Sequence, residues 1–175
     1  KRRVPDCSLC VEVAYLDIEQ MKSTFTELAT LLLGDAKQAK SFMTKAKLHS
    51  MEELEDSWWN LYEKLLSTGR VVELSLKIEL EDFLYYVQKL IHNKNLSTDE
   101  NLTGDVSIDT SAFDDSQCIG DWCAYFNSTW KNQKLVGMDI GTDSLVLMVL
   151  SNEEFKRAQE LAKELLHRID VAERL

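Results

Sequence analysis

Proline occurs once in these 175 residues, glycine six times and histidine three times, and no apolar run approaches the roughly 20 residues that cross a bilayer. With so few backbone breakers, long stretches are free to be helical, and no membrane span is expected. Positive charge is also short, with 20 Lys and Arg against 30 Asp and Glu, a net charge of −10. That balance opposes binding to a polyanion, so no nucleic-acid partner is expected. The chain opens on Lys1, Arg2 and Arg3, but Val4, Pro5 and Asp6 follow in place of the apolar stretch of a secretory signal, which points to the cytoplasm. Nucleophile-elbow, zincin, phosphate-loop and EF-hand patterns are all missing. No catalytic residue, metal or cofactor is therefore expected, and the protein is expected not to be an enzyme.

What the chain does contain is periodic. A 45% apolar and 29% charged composition over this length fits one globular domain, residues 1–175, with residues 1–10 as a disordered extension. Met21, Phe25, Leu28 and Leu32 recur on one helical face that Gly34 ends. Ala36, Ala39, Phe42, Met43 and Ala46 predict a second, shorter helix. Ser50 and Glu53 read as a capping box before a helix striped with Met51, Leu54, Trp58, Leu61 and Leu65, which Gly69 closes. Trp59, one step off that stripe, is expected to cover the edge of the core, with an exposed anchor as the alternative.

The period then changes to two over residues 71–77, predicting a half-buried strand with Val72, Leu74 and Leu76 inward. Leu80, Phe83, Leu84, Val87 and Ile91 return to helical spacing. Residues 93–114 show no period and predict a long polar loop. Ile119, Trp122, Cys123, Phe126 and Trp130 mark another helix. Leu135–Ile140 and Leu145–Leu150 predict a hairpin around Gly141, Thr142 and Asp143. The unbroken apolar run of the second strand predicts a central strand covered on both faces. Ser151 and Glu154 open a helix with Phe155, Ala158, Ala162 and Leu165 inward, and Ile169 and Val171 predict a last short strand beside the hairpin. The fold class expected is α+β: a helical first half, then a small mixed sheet of three to four strands.

Several groups of residues could carry chemistry. Gly137-Met138-Asp139-Ile140-Gly141-Thr142-Asp143-Ser144 resembles the first phosphate-binding hairpin of the actin, heat-shock ATPase and sugar-kinase superfamily, and makes nucleotide binding or catalysis at Asp139 and Asp143 the alternative function. Only 31 residues follow Ser144, too few for that superfamily's lobes, and a turn shaped by Gly141 accounts for the same residues. Cys7 and Cys10 form a C-x-x-C pair, expected to be a disordered terminal pair and not a metal site. Cys118 and Cys123 lie five apart on a helix, about 140° beyond a full turn, so their sulfurs should diverge. His49, His92 and His167 match no ligand or nucleophile spacing, and helix C-termini would account for His92 and His167 as cations.

Charge of one sign is the feature that points to a partner. Asp99, Glu100, Asp105, Asp109, Asp114, Asp115 and Asp121 fall within 23 residues that contain no Lys or Arg. A field of one sign over a small surface steers a basic partner and speeds encounter, although a solvated loop is the plain alternative. Seven partner-binding carboxylates on an acidic surface are the sites expected.

The run from Trp58 to Phe83, with its aromatic helix, Gly69, strand Val71 to Leu76 and Asp82-Phe83, resembles an uncharacterised family of small bacterial domains of unknown function. So does the ending Asp139-x-Gly141-x-Asp143-Ser144 with its apolar strand and terminal helix. The resemblance covers the last two thirds of the chain and implies a single α+β cytoplasmic domain of the immunity-protein-like, interaction-module kind. Together with the acidic run, it leads to the expectation of a non-enzymatic domain that binds a basic protein, such as a toxin it neutralises. Oligomeric state is not legible in the sequence.

Overall fold

A computed structural model describes residues 18–46, 48–97, 108–114 and 116–175. Among them the chain forms α1 (Ile18–Leu33), α2 (Ala36–Met43), α3 (Met51–Ser67), β1 (Val72–Ser75), α4 (Leu80–Ser97), α5 (Ile119–Thr129), β2 (Gln133–Met138), β3 (Ser144–Ser151), α6 (Asn152–Glu164) and β4 (Ile169–Val171). Single 3-10 turns lie at Thr110–Ala112 and Ala172–Arg174. The architecture is α+β, as the patterning predicts.

The four strands form one sheet in the order β1-β3-β2-β4. All three pairings are antiparallel, which corrects the expected mixed sheet. The reason is that each helical crossover skips a strand. β3 and β4 are both antiparallel to β2 and so parallel to each other, with β2 between them. β1 and β2 are likewise parallel, with β3 between them.

Alternation along the central strand then explains its composition. Val146, Met148 and Leu150 face a core built from α1, α2, α3 and α6, with Phe25, Leu28, Leu61 and Leu161 among its fully buried members. Leu145, Leu147 and Val149 face a second core from α4 and α5, around Phe83, Val87, Cys123 and Phe126. A strand covered on both sides must be apolar at every covered position, and β3 is so from Leu145 to Leu150, with serines only at its half-buried ends.

Helix boundaries follow local chemistry. Asp35 caps α2, its carboxylate accepting from the N–H groups of Lys37 at 2.7 Å and Gln38 at 3.3 Å. Ser50 Oγ accepts from Glu53 N at 3.2 Å, while the Glu53 carboxylate takes the His49 N–H at 2.8 Å. At α6 both halves of the capping box form, between Ser151 and Glu154. The α3 and α6 C-termini share the Schellman pattern, with Gly69 (φ 68°) in the left-handed position of the first.

Three expectations are corrected. Residues 93–97 are the end of α4, not loop, because the polar side chains of Asn93 and Lys94 have distant partners that periodicity cannot register. Asn93 Nδ2 donates to the Gly69 carbonyl at 2.8 Å, and buried Lys94 Nζ pairs with the Glu154 carboxylate at 2.6 Å. The remainder of the expected 93–114 loop includes the 3-10 turn at Thr110–Ala112, with Ile108 and Phe113 packed on the second core. Leu76 is 57% exposed because the β1 pairing ends where Ser75 meets Ser144, and Met51 is exposed as the first residue of α3, ahead of the core.

Candidate functional site

The α6 C-terminus is the most unusual local structure in the described residues. Leu166 N donates to the Lys163 carbonyl at 3.1 Å and His167 N to the Ala162 carbonyl at 2.9 Å. These are the two bonds of a Schellman motif, whose left-handed residue is usually glycine. Here it is Leu166, with φ 61°, the one non-glycine residue of positive φ among those described. Its side chain is 71% exposed.

The motif delivers His167 onto α3. Its imidazole lies parallel to the Trp58 indole, ring centroids 4.0 Å apart and planes 5° from parallel. Trp58 Nε1 donates to the Asp139 carbonyl at 2.9 Å, and Asp139 N donates to the Arg168 carbonyl at 3.0 Å. Asp139 Oδ1 accepts the Gly141 N–H at 2.9 Å. Residues from three distant parts of the chain therefore meet at one end of the sheet.

They enclose a cleft of about 330 Å³, with Glu55, Trp59, Asp139, Leu166, His167 and Arg168 in its lining. That volume is at the lower end of small-ligand sites. The His167 side chain is only 9% exposed, and its Nε2 has no hydrogen-bond partner, the Glu55 carboxylate being 3.9 Å away. Burial pushes the imidazole pKa down, and the negative charges of Glu55 and Asp139 offset this only in part. His167 is thus a neutral ring with an unsatisfied nitrogen, which corrects the expectation of a cation at a helix end. His92 lies inside α4, exposed, and not at its end. Trp59 is 42% exposed at the cleft, its Nε1 donating to Glu63 at 3.3 Å.

Of the seven carboxylates expected to bind a partner, Asp109, Asp114 and Asp121 are described, and all three are exposed. Asp99, Glu100, Asp105 and Asp115 lie outside the described residues. Asp109 accepts from the Ser111 hydroxyl at 2.6 Å and the Ser111 N–H at 3.1 Å. Asp114 accepts from Ser116 N at 2.8 Å, and Asp121 from Cys118 N at 3.0 Å. Hydrogen bonds from these neighbours hold all three carboxyls below the usual range: the Ser111 hydroxyl first for Asp109, the Ser116 N–H for Asp114, the Cys118 side chain for Asp121. Ile108, Phe113 and Trp122 tie the segment to the core. Only three residues separate α5 from β2, and the Asn127 side chain bonds both backbone groups of Leu135 at 2.8 Å, so α5 runs back along β2. Its first turn, with Asp121, is therefore directed toward the hairpin end of the sheet, where Asp139 and Asp143 lie.

Other candidates fare differently. Cys118 is exposed and Cys123 is fully buried, as their helical spacing implies. Burial drives the Cys123 thiol up to about 12, so it is inert at neutral pH. Cys7 and Cys10 lie outside the described residues. Among the described residues, no group of three or more His, Cys, Asp or Glu side chains is placed to hold a metal ion. In the Asp139 to Asp143 turn, Gly141 has φ 72° and supplies the left-handed step. Nothing in the sequence spacing of Trp58 and Asp139 links either of them to His167, so the cleft has no signal in the sequence.

Fold and cleft together define a small α+β domain of two cores around one antiparallel sheet. The chain belongs to the family described as Domain of unknown function (DUF6630), whose model matches residues 16–172. Comparison with curated proteins gave no match, and neither did comparison with solved structures. Among the described residues, no helix is long and apolar enough to cross a membrane.

Proposed function

We propose that the domain is a non-enzymatic binding module that offers an acidic face to a basic protein partner in the cytoplasm. The observation that carries it is the placement of Asp109, Asp114 and Asp121: exposed, each carboxylate fixed in direction by a hydrogen bond from a neighbour, and set in a segment pinned to the core by Ile108, Phe113 and Trp122. A fixed charge steers better than a loose one, because no ordering entropy is lost when the partner docks. A toxin with a basic substrate cleft, neutralised by this domain, is the partner the same physics would suit.

Poly-L-lysine serves as a defined basic probe, and the protein recovered from the source cell by affinity capture as the natural one. Replacing Asp109, Asp114 and Asp121 together by Asn keeps the local hydrogen bonds and removes three charges. The association rate should fall by about tenfold or more at low salt and lose much of its ionic-strength dependence, with dissociation changed less. An association rate unaffected by both the substitutions and added salt would refute the acidic face.

A further inference from the structure

We propose that the α6–β4 corner is an acid-sensitive latch: a proton on His167 drives its ring off Trp58, swings the corner about Leu166 and uncovers the indole that lines the cleft. The device is independent of the acidic face and stands or falls apart from it.

The ring is docked without a polar anchor at Nε2. Its side chain is 9% exposed, Nε2 is enclosed with no hydrogen-bond partner, and the ring rests on the 4.0 Å stack with Trp58, itself 3% exposed. An uncharged imidazole carries hydrogen on one nitrogen, an imidazolium on both. Whichever nitrogen bears it in the neutral ring, the cation has an N–H at Nε2, buried and without an acceptor. A charged donor in that position costs more than a neutral nitrogen does.

The charged groups around the ring decide where it goes. α3 supplies Glu55, 3.9 Å from Nε2 and 67% exposed, and the β2–β3 turn supplies Asp139. The corner itself supplies Arg168, whose guanidinium is engaged by Asp170 at 3.4 Å and by the Arg174 carbonyl. A charge-assisted hydrogen bond needs about 2.8 Å, so the Glu55 oxygen is about 1 Å too far. Drawing the carboxylate inward would strip water from a second charge. Moving the ring outward returns the first charge to water and meets the carboxylate at the mouth of the cleft.

The hinge lies beside the ring. Leu166 holds φ 61°, a strained value for a residue with a Cβ, and its side chain is 71% exposed, so little packing opposes a turn of the corner. Undocking gives up the bonds from Leu166 N to the Lys163 carbonyl and from His167 N to the Ala162 carbonyl, and lets the left-handed residue relax. Burial holds the docked imidazole pKa below 6.5, with Glu55 and Asp139 offsetting that only in part. Docking is therefore complete above pH 6.5 and weakens as pH falls toward the lower docked value, the opening constant rising up to about tenfold per pH unit within that window.

The test follows the His167 ring resonances and the amide hydrogen exchange of the full chain from pH 8 to 5, exchange rates being corrected for their intrinsic pH dependence. Protons of a ring stacked on an indole resonate upfield; they should lose that shift on protonation, with a midpoint below 6.5. Over the same range the Leu166 and His167 amides should lose about tenfold or more of their protection, while those of Leu28 and Leu61 in the first core keep theirs. In His167→Phe, which stacks but does not titrate, protection at the corner should not change with pH. Glu55→Gln, at an exposed position, should move the midpoint to lower pH, because the carboxylate favours the cation. Leu166→Gly should protect the corner amides several-fold better at every pH. An imidazolium that keeps its upfield shift would mean that Glu55 closes onto a docked ring, and would overturn the latch. Loss of protection in core and corner together, or a corner still sensitive to pH in His167→Phe, would overturn it as well.

Discussion

Replacing Leu166 by glycine should make the protein more stable, even though it deletes a large apolar side chain. Leu166 holds φ 61° in the left-handed position of the α6 Schellman motif, a conformation that costs a residue with a Cβ about 1–2 kcal/mol. Glycine removes that strain but adds about 0.5–1 kcal/mol of backbone entropy to the unfolded chain. The side chain is 71% exposed, so little packing is lost. The balance is a gain of about 0.5–1 kcal/mol, or a rise in Tm of about 1–4 °C for a chain of this size. Gly69 supplies the mirror experiment within the same molecule. It occupies the same position in the α3 motif with φ 68°, and a Cβ there would lie 2.7 Å from Asn93 Nδ2. Gly69→Ala should therefore lower stability by more than about 1 kcal/mol. Calorimetry at neutral pH, with urea unfolding to confirm that the m-value is unchanged, measures both. A lower Tm for Leu166→Gly would refute the strain argument and show that Leu166 contributes packing.

Three further outcomes follow from groups with perturbed environments. His167 has a folded pKa below its ordinary 6.5, so the unfolded chain takes up a proton that the folded one resists. The stability this group contributes is present above pH 6.5 and lost as pH falls from there through the lower folded value. Urea midpoints from pH 7.5 to 5 should drop less steeply in His167→Phe, and an identical slope would show that the ring is not desolvated. In a Cys7→Ser, Cys10→Ser background, Cys118 should react with a maleimide readily, whereas Cys123, with its thiol near 12, should react only on unfolding; prompt modification of both thiols would contradict the packing of α5. Asn127→Ala should cost about 2–4 kcal/mol in urea unfolding, because it strips partners from the buried N–H and carbonyl of Leu135 and from Glu173. A loss under about 1 kcal/mol would mean that water replaces those bonds.

The parts of the fold that sequence reveals are those in which a side chain's role repeats. Six consecutive apolar residues at Leu145–Leu150 say that both faces of a strand are covered, and both faces are. Ser151 with Glu154, and Gly141 in its turn, act through neighbours three or fewer residues away, so their roles are local as well. Asn93 and Lys94 behave otherwise. Polar by type, they break the apolar stripe of α4, yet Gly69 and Glu154, 24 and 60 residues distant, satisfy them and let the helix run on. The acidic residues were legible as charge, but the bonds that fix Asp109, Asp114 and Asp121 depend on turn geometry. The cleft is least legible, because it joins α3, the β2–β3 turn and the α6–β4 junction, segments about 110 residues apart at their extremes.

Register explains why those segments converge. β4 begins where β2 ends, Ile169 opposite Met138, so Arg168 and Asp139 must be neighbours, and α6, returning along β3, must finish at the hairpin end of the sheet. A chain that reverses there needs a helix stop, and glycine would supply one without strain, as Gly69 does for α3. Leu166 supplies it with strain, and the residue after it buries an imidazole whose nitrogen is left unsatisfied. The left-handed leucine costs the fold stability, and the ring that stacks on Trp58 keeps one nitrogen without a partner. Two local conflicts with folding preference, side by side and opening onto the same cleft, are the signature expected where a sequence serves binding over stability. Either feature alone has a structural explanation; what marks a site is that both fall at one cleft.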